Sequence, residues 1–375
     1  MKVLHVISDT NIGGAGVLLC NLLTCFERDK IESAVALPCG SKLAPRLIKM
    51  GIPVFYLSEP CERVSPNSVW ELSRIIKKRK VDIVHANAAV SARVAARLCH
   101  IPVLHTRHCC FPPTGILAKP SARRIAGVCN RMLSDYVIAT ADAAAENLRQ
   151  LGIPEKKMRT IINGSLPVRE VDEKALDQVR RAFGIPKEDF TVGICARLEE
   201  CKGHDIFLKA AAILRQLRPD IPFRFLIIGE GSRRVQLEKM ASDLALEDCV
   251  VFTGFVSDMA PIYRILRVGV NCSCGTETSC LAISEGMSVG LPTVASNYGG
   301  NVAMLGESQA GFLFEVGDAE ALANAILQIA EDEELEKKMQ RCAYERYLSH
   351  FTAEKMSREV QDVYENLTVK RKSRS

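Results

Sequence analysis

The sequence lacks the long apolar run that a membrane-spanning helix requires. None of its 375 residues lies in an uncharged apolar stretch of about eighteen residues or more, so we expect no transmembrane helix. Residues 1–9 are too short, and too soon interrupted by an acid, to form a signal peptide, and they are typical of a first β-strand. These absences favour a cytoplasmic protein.

Paired metal-binding cysteine motifs are also missing. The chain has 15 cysteines, an odd number, and they are scattered: Cys109 and Cys110 are adjacent, Cys272 and Cys274 are one residue apart, and no Cys-x-x-Cys pair occurs. The spacing favours neither a disulfide framework nor a zinc site. Without an export signal, free thiols in a reducing cytosol are the simpler interpretation.

Short repeats and low-complexity segments are absent, and the net charge is only +5. The hydrophobic content of 47% and charged content of 25% are typical of a globular protein, and the length predicts two domains. Basic residues gather at 370–374, which we interpret as a solvated end, and in segment 116–133, where arginines alternate with apolar residues. An ordinary half-exposed helix and an amphipathic helix on an anionic membrane surface explain that segment equally well.

Apolar runs of strand length alternate with helix-length segments along the chain. The runs lie at 3–7, 34–38, 54–57, 83–85, 103–105, 136–139, 191–195, 223–228, 250–253, 268–271 and 293–296. Such alternation predicts parallel sheets covered by helices on both faces. Because the alternation breaks near residues 163–170, we predict domains at 1–166 and 167–345, followed by a terminal helix and basic tail at 346–375.

A glycine-rich loop follows the first predicted strand. It contains Gly13, Gly14 and Gly16 and leads into a helix predicted at 17–26. Glycines let backbone amides approach a phosphate, and a helix start favours negative charge. The loop matches neither the full dinucleotide fingerprint nor the P-loop, which argues against a nicotinamide-cofactor enzyme.

Two cations follow the strand at 191–195. Arg197 and Lys202 fall at the strand end, where a parallel sheet places its ligands. An arginine fork and a lysine point charge together can neutralise a diphosphate, while a solvated surface loop is the alternative. Phe255 and Val256 follow another strand in the same way.

Two carboxylates, Glu277 and Glu285, lie eight residues apart around a small apolar run. A Gly290-x-Pro292 turn and the strand at 293–296 follow, so the stretch predicts loop, short helix, turn and strand. Glu277 is expected at or before the helix start and Glu285 about two turns in. The apolar flanks predict a buried helix, and buried carboxylates need partners, which favours a site over two solvated acids.

Jointly, these residues resemble the group 1 (family 4) retaining glycosyltransferases. The resemblance rests on Glu277 and Glu285 with seven residues between them, on Arg197 with Lys202-Gly203, on Gly13-Gly14, and on Gly290-x-Pro292 before Gly299-Gly300. It implies an α/β fold of the GT-B type: two Rossmann-like, doubly wound parallel-sheet domains facing across a cleft, with the acceptor on the amino-terminal side, the donor on the carboxyl-terminal side, and a terminal helix returning toward the first domain.

The implied activity is transfer of a sugar, with retained anomeric configuration, from a UDP- or GDP-linked donor. The implied acceptor is a glycan or a lipid-linked glycan in polysaccharide or glycolipid biosynthesis, at the inner membrane face. The resemblance implies no metal and no cofactor, and the sequence contains no Asp-x-Asp motif. Nucleic acid is not an implied partner.

The resemblance also implies residue roles. Arg197 and Lys202 would hold the donor diphosphate, Glu277 would lie near the transferred sugar, and His108 would approach that sugar; these four form the implied catalytic set. Glu285 would accept the ribose hydroxyls. The remaining implied donor contacts are Gly14, Phe255, Val256, Thr278, Ser279, Cys280 and Leu281. His85 and His105 match no family position, and we interpret them as structural.

Two departures keep alternatives open. Relatives usually carry Gly-Phe-Gly where this chain has Thr278-Ser279-Cys280, and they often carry an acid shortly after Gly299-Gly300, where this chain has 301–304. The first departure concerns the sugar identity and keeps open a catalytically degenerate nucleotide-sugar-binding subunit. A sugar-nucleotide epimerase of the same architecture is the other alternative.

Overall fold

The computed structural model describes residues 1–10, 13–108, 119–275, 278 and 280–372, with side chains up to residue 369. Its strands are β1 Lys2–Ile7, β2 Glu32–Pro38, β3 Val54–Leu57, β4 Ile83–Asn87, β5 Val103–Arg107, β6 Tyr136–Ala139, β7 Met158–Thr160, β8 Phe190–Cys195, β9 Phe223–Ile228, β10 Val250–Gly254, β11 Val268–Asn271, β12 Thr293–Ser296 and β13 Gly311–Phe314.

The α-helices alternate with these strands and then close the chain. They are α1 Gly14–Cys25, α2 Ala44–Lys49, α3 Pro66–Arg79, α4 Val90–Leu98, α5 Pro120–Leu133, α6 Asp142–Gln150, α7 Glu173–Phe183, α8 His204–Leu217, α9 Arg234–Asp243, α10 Ala260–Ile265, α11 Leu281–Met287, α12 Gly300–Leu305, α13 Ala319–Glu331, α14 Glu333–Arg346 and α15 Ala353–Lys372.

The chain divides into two compact units. Unit 1 comprises residues 1–165 and 353–375, and unit 2 comprises residues 166–352. Residues 346–352, which the sequence-based boundaries assign to the terminal segment, therefore belong to unit 2. Among the described residues, no helix combines the length and the apolarity that crossing a bilayer requires.

Unit 1 is built on a seven-stranded parallel sheet in the order β3-β2-β1-β4-β5-β6-β7. Central strands such as β4 are buried along their whole length, because helices cover both faces of the sheet. The last helix, α15, packs against α1. The order reverses between β1 and β4, and in doubly wound sheets ligands bind outside the carboxyl ends of the strands at that point.

Unit 2 repeats the design with six parallel strands in the order β10-β9-β8-β11-β12-β13. Its main core joins these strands to helices α8, α9 and α13. Local chemistry sets several helix ends: the Asp172 carboxylate accepts from the amide of Ala175 at the start of α7, and Gly184 ends that helix in the left-handed conformation. In this sheet the order reverses between β8 and β11.

Candidate active site

The loop after β8 carries Arg197 and Lys202 at the carboxyl edge of the unit 2 sheet. Arg197 is exposed, and Lys202 lies in a 3-10 turn, Glu200–Lys202, directly before α8. Backbone hydrogen bonds hold the loop against the loop after β9: the Leu198 amide donates to the Glu230 carbonyl at 3.0 Å, and the Arg233 amide donates to the Leu198 carbonyl at 3.0 Å. Both cations are therefore presented from a fixed backbone.

Gly203 lets this turn approach the end of β11. Its φ is +67°, and a Cβ at this position would lie 2.3 Å from the carbonyl oxygen of Cys272. Only glycine fits, because any side chain would both strain the backbone and collide with that carbonyl. A hydrogen bond joins the same two loops: the Cys274 amide donates to the Cys201 carbonyl at 3.0 Å. The loops after β8 and β11 therefore meet where the strand order reverses.

A buried polar network anchors the start of the loop after β11. The Ser273 amide donates to Oδ1 of Asn271 at 2.9 Å, and the Ser296 hydroxyl donates to the Ser273 carbonyl at 2.6 Å. Asn301, which is fully buried, donates through Nδ2 to Oγ of Ser296 at 3.1 Å. Asn301 directly follows the Gly299-Gly300 pair and is the first residue of 301–304, where the chain departs from the family pattern. One residue of that departure therefore helps to hold the loop in place.

The loop continues toward the predicted donor-sugar residues. Glu277 and Ser279 lie outside the described residues, whereas Thr278 is buried with 4% exposure and Cys280 is half-buried as the residue preceding α11. The helix begins at Leu281, so Glu285 lies just over one turn in. The expected two turns were wrong, because Cys280, directly before the helix, has an extended backbone.

Glu285 itself is half-buried and has a defined partner. The hydroxyl of Tyr263, on α10, donates to Oε2 of Glu285 at 2.8 Å. Burial and the neighbouring Glu285 carboxylate raise the pKa of the Cys195 thiol, at the end of β8, to about 12. The carboxylate thus lies beside the phenol of Tyr263 and the thiol of Cys195. Sequence reasoning overlooked Tyr263 because it belongs to no motif.

Phe255 and Val256 follow β10 at the same edge of the sheet. Phe255 is 71% exposed, whereas Val256 packs partly against the apolar cluster that contains Tyr263. The Gly229 amide donates to the Gly254 carbonyl at 3.0 Å, which ties this loop to the loop after β9. All the described donor-side residues of unit 2 therefore lie on loops or in the short helix α11 at one sheet edge.

In unit 1, Gly14 and His108 were predicted to contact the donor. Gly14 is the first residue of α1, so the helix begins three residues earlier than predicted. His108 follows β5, and its Nε2 lies 2.8 Å from Oδ1 of Asn87 at the end of β4. Burial lowers the pKa of His108 to about 4, which leaves the imidazole neutral at neutral pH.

A small cavity lies beside His108. Its volume is about 20 Å³, enough for one water, and its polar lining comes from His85, Asn87, Thr106, Thr140 and Asn163. His85 lies between Oγ1 of Thr106 and the hydroxyl of Tyr364, each 2.6 Å from a ring nitrogen. Asn87 was missed by sequence reasoning, although a polar residue that ends an apolar strand is the signal that identified Arg197.

Solved structures share the fold of this chain. Anabaena HepE in complex with UDP-glucose superposes with a TM-score of 0.84 at 22% identity, over 98% of this chain and all of that one. A glycosyltransferase from Rickettsia africae superposes with a TM-score of 0.82 at 21% identity, over 98% of each chain. The fold is that of the GT-B glycosyltransferases, which confirms the predicted fold class.

Sequence comparison then gives the family. The model for Glycosyltransferase Family 4 matches residues 12–165, and the model for Glycosyl transferases group 1 matches residues 177–346, so the two together account for most of the chain. The protein belongs to the group 1 glycosyltransferases and is a glycosyltransferase. The resemblance to the group 1 (family 4) glycosyltransferases is thereby confirmed.

Curated relatives agree on this activity. A D-inositol 3-phosphate glycosyltransferase of Corynebacterium urealyticum is 27% identical over 308 residues, which cover 76% of this chain and 72% of the relative. A UDP-Gal:alpha-D-GlcNAc-diphosphoundecaprenol alpha-1,3-galactosyltransferase of Escherichia coli is 26% identical over 335 residues, which cover 84% of each chain. These relatives act on different acceptors, so they leave this chain's own acceptor open.

Proposed function

We propose that this glycosyltransferase takes its sugar from a nucleotide-sugar donor and transfers it, with retained configuration, to a glycan or lipid-linked acceptor. The observation that carries the proposal is the meeting of the loops after β8 and β11 at the point where the strand order of unit 2 reverses. That junction brings two cations and a half-buried carboxylate to one sheet edge, which suits a nucleoside diphosphate.

The proposed roles follow from the charges. Arg197 and Lys202 bind the diphosphate and stabilise the negative charge that develops on it as the sugar leaves, which is where electrostatic help is most effective. Glu285 accepts hydrogen bonds from the ribose hydroxyls, and the backbone at Phe255 and Val256 binds the base. Glu277 and residues 278–281 contact the transferred sugar, a role that rests on the family resemblance.

On unit 1, the proposed roles of Gly14 and His108 also rest on that resemblance. A neutral His108 offers hydrogen bonds to sugar hydroxyls without adding a charge that competes for the diphosphate. No protein nucleophile is assigned. Attack from the face that the leaving phosphate occupies, assisted by that phosphate, accounts for retention, and neither a metal nor a cofactor has a part in this scheme.

The test of these roles is substitution on the donor side. Lys202→Ala and Glu285→Ala should each lower kcat/KM for the donor by at least about 100-fold, since each removes a charged contact. Matched controls are Lys209→Ala, an exposed lysine on α8, and Glu307→Ala, an exposed acid of the same unit. Full activity in both folded site variants would overturn the roles assigned here.

The donor itself can be identified by thermal shift. A ligand that binds only the folded state raises the melting temperature, and at a fixed concentration the tighter ligand gives the larger shift. We expect UDP or GDP, and one of their sugar conjugates, to give the largest shift in a nucleotide panel. Conversion of that conjugate to an isomer without any acceptor would favour an epimerase, and binding without turnover on any acceptor would favour a degenerate subunit.

A lipid-linked acceptor predicts contact with an anionic membrane, and helix α5 offers a surface for it. Ile125, Val128 and Met132 are exposed by 66%, 44% and 69%, and at about 100° per residue they fall within a narrow arc of the helix. Arg124 and Arg131, both exposed, lie along one side of that arc. An apolar face bordered by arginines suits an anionic lipid surface.

This surface can be tested with vesicles. The wild type should co-sediment with phosphatidylglycerol-containing vesicles and not with pure phosphatidylcholine, and a double Ile125→Ser, Met132→Ser variant should lose most of that binding. Val235→Ser on α9, where the valine is 77% exposed, is the matched control in unit 2. Equal binding by the double variant would reject α5 as the contact surface.

A further inference from the structure

Tyr263 lies deep in unit 2, directly behind the carboxylate proposed to bind ribose. It is only 3% exposed, and its ring packs in an apolar cluster with Ile228, Ile262 and Leu266. Its hydroxyl donates to Oε2 of Glu285 at 2.8 Å. The tyrosine is thus anchored by its ring, and only its oxygen reaches the carboxylate.

The phenol remains a hydrogen-bond donor over the whole working pH range. Burial, together with the nearby Cys195 thiol and Glu285 carboxylate, raises the pKa of Tyr263 well above its ordinary value. The hydroxyl therefore keeps its proton. A hydrogen bond to an ionised acceptor is roughly twice as strong as one between neutral groups, so this contact holds the carboxylate firmly.

Holding the carboxylate matters because glutamate is a flexible side chain. Three rotatable bonds separate its carboxyl group from the backbone, and fixing them when the ligand arrives weakens binding. A carboxylate can accept about four hydrogen bonds, so one bond from the phenol is compatible with acceptance of two ribose hydroxyls. A bond made before the donor arrives pre-organises that site.

We propose that Tyr263 is a positioning residue for nucleotide recognition: its hydroxyl fixes the Glu285 carboxylate in the orientation that accepts the ribose hydroxyls, and so strengthens the preference for ribonucleotides over deoxyribonucleotides. This inference rests on the proposed role of Glu285. Tyr263 touches Glu285 and is not assigned a contact with the substrate.

The decisive variant is Tyr263→Phe, which removes one oxygen and leaves the packed ring. We expect its KM for the donor to rise about tenfold, the usual effect of losing a hydrogen bond to a charged group, while kcat changes less than about twofold. Affinities for UDP and 2′-deoxy-UDP, and for the corresponding guanosine pair, are measured by calorimetry. The preference for the ribonucleotide should fall several-fold in the variant.

Two comparisons make the result specific. Tyr136→Phe removes the same oxygen in unit 1, where the hydroxyl donates to the Met158 carbonyl at 3.2 Å, and it should leave the ribose preference unchanged. In a Glu285→Gln background, Tyr263→Phe should have little further effect on that preference, because the two residues act as a pair.

The outcomes separate the inference from the function beneath it. If Glu285→Gln lowers the ribose preference and Tyr263→Phe does not, Glu285 keeps its role and the inference about Tyr263 is overturned. If neither substitution changes the preference, the ribose role of Glu285 and the inference fail together. Loss of the preference in both single variants, without further loss in the double variant, supports both.

Discussion

At the scale of single residues, the candidate site depends on a close approach between the loop after β8 and the backbone at the end of β11. Gly203 lies at this point, since its α-carbon lies beside the Cys272 carbonyl with no room for a side chain. Gly184, which ends α7, shares the left-handed backbone with a φ of +63° but has open space around its α-carbon. The two glycines therefore separate the cost of conformation from the cost of crowding.

We predict that Gly184→Ala lowers the free energy of unfolding by about 1–2 kcal/mol, the cost of a left-handed alanine. Gly203→Ala should cost about 1–3 kcal/mol more, because the new methyl group collides with a backbone carbonyl that cannot turn away. Urea denaturation measures both losses. Donor affinity should fall only in Gly203→Ala, since Lys202 precedes this glycine; equal affinity in the two variants would contradict the proposed importance of the loop contact.

At the scale of elements, the last helix, α15, packs onto the amino-terminal unit and contributes a side chain to its core. Tyr364 of α15 is fully buried, and its hydroxyl lies 2.6 Å from Nδ1 of His85 in the central strand β4. The rings of Tyr364, Phe26 and His5 pack together beside that hydrogen bond. The side chain of Tyr364 thus joins the last helix to the core of unit 1.

We predict that Tyr364→Phe lowers the free energy of unfolding by about 1–3 kcal/mol, because a ring nitrogen of His85 stays buried without its partner. Tyr344→Phe, an exposed tyrosine of α14, is the matched control and should change stability by less than about 0.5 kcal/mol. Chemical denaturation gives both numbers. Equal stability of the two variants would show that the hydrogen bond is not needed.

The elements themselves were largely predictable. The eleven expected strands are all present, because buried parallel strands are continuous apolar runs that single-sequence patterns reveal well. The strands β7 and β13 were missed: both are short edge strands, one centred on Arg159 and the other beginning at Gly311. Edge strands need less apolar character, so their pattern is weaker.

The site was predictable only where it follows strand ends. Arg197 and Lys202 stand out because permanent charges directly follow an apolar strand. Tyr263 does not, because its role depends on a contact across 22 residues of sequence between two short helices. The structural role of Asn301 could not be predicted either. Its sequence position shows only a difference from the family pattern, whereas its hydrogen bond with Ser296 depends on the folded structure.

At the scale of the whole molecule, both units contain histidines whose pKa is lowered by burial, and unit 1 contains more of them among the described residues. Burial lowers the pKa of His5 to about 3 and of His108 to about 4, and it holds those of His85 and His105 well below the usual value, all in unit 1. In unit 2, burial lowers the pKa of His204 to about 4. Both ring nitrogens of His5 lack a hydrogen-bond partner among the described residues.

These histidines predict acid sensitivity. Below about pH 6.5 these histidines bind protons in the unfolded chain but not in the folded chain. Their contribution to the free energy of unfolding is therefore greatest above that pH and falls as the pH drops toward the folded pKa values. His5→Leu should flatten this dependence by about 1.4 kcal/mol per pH unit between pH 6 and pH 4.5, because one such group is removed. Urea denaturation across that range measures the slope.

The control for this prediction is Phe26→Leu, which alters a ring packed 6.1 Å from that of His5 without removing a titrating group. It should lower stability at every pH and leave the slope as it is. Parallel pH curves for the wild type and His5→Leu would contradict the assignment of acid sensitivity to this histidine.

The discontinuity of unit 1 has a consequence for how the protein is made. Residues 1–165 leave the ribosome first, yet the helix that covers His85 and Phe26 is translated only after all of residues 166–352. The nascent amino-terminal half must therefore wait with apolar core surface uncovered, while the second half, being contiguous, can close as soon as it emerges. Synthesis order and folding order are thus reversed, and a polypeptide released early would yield a finished second unit attached to an open first one.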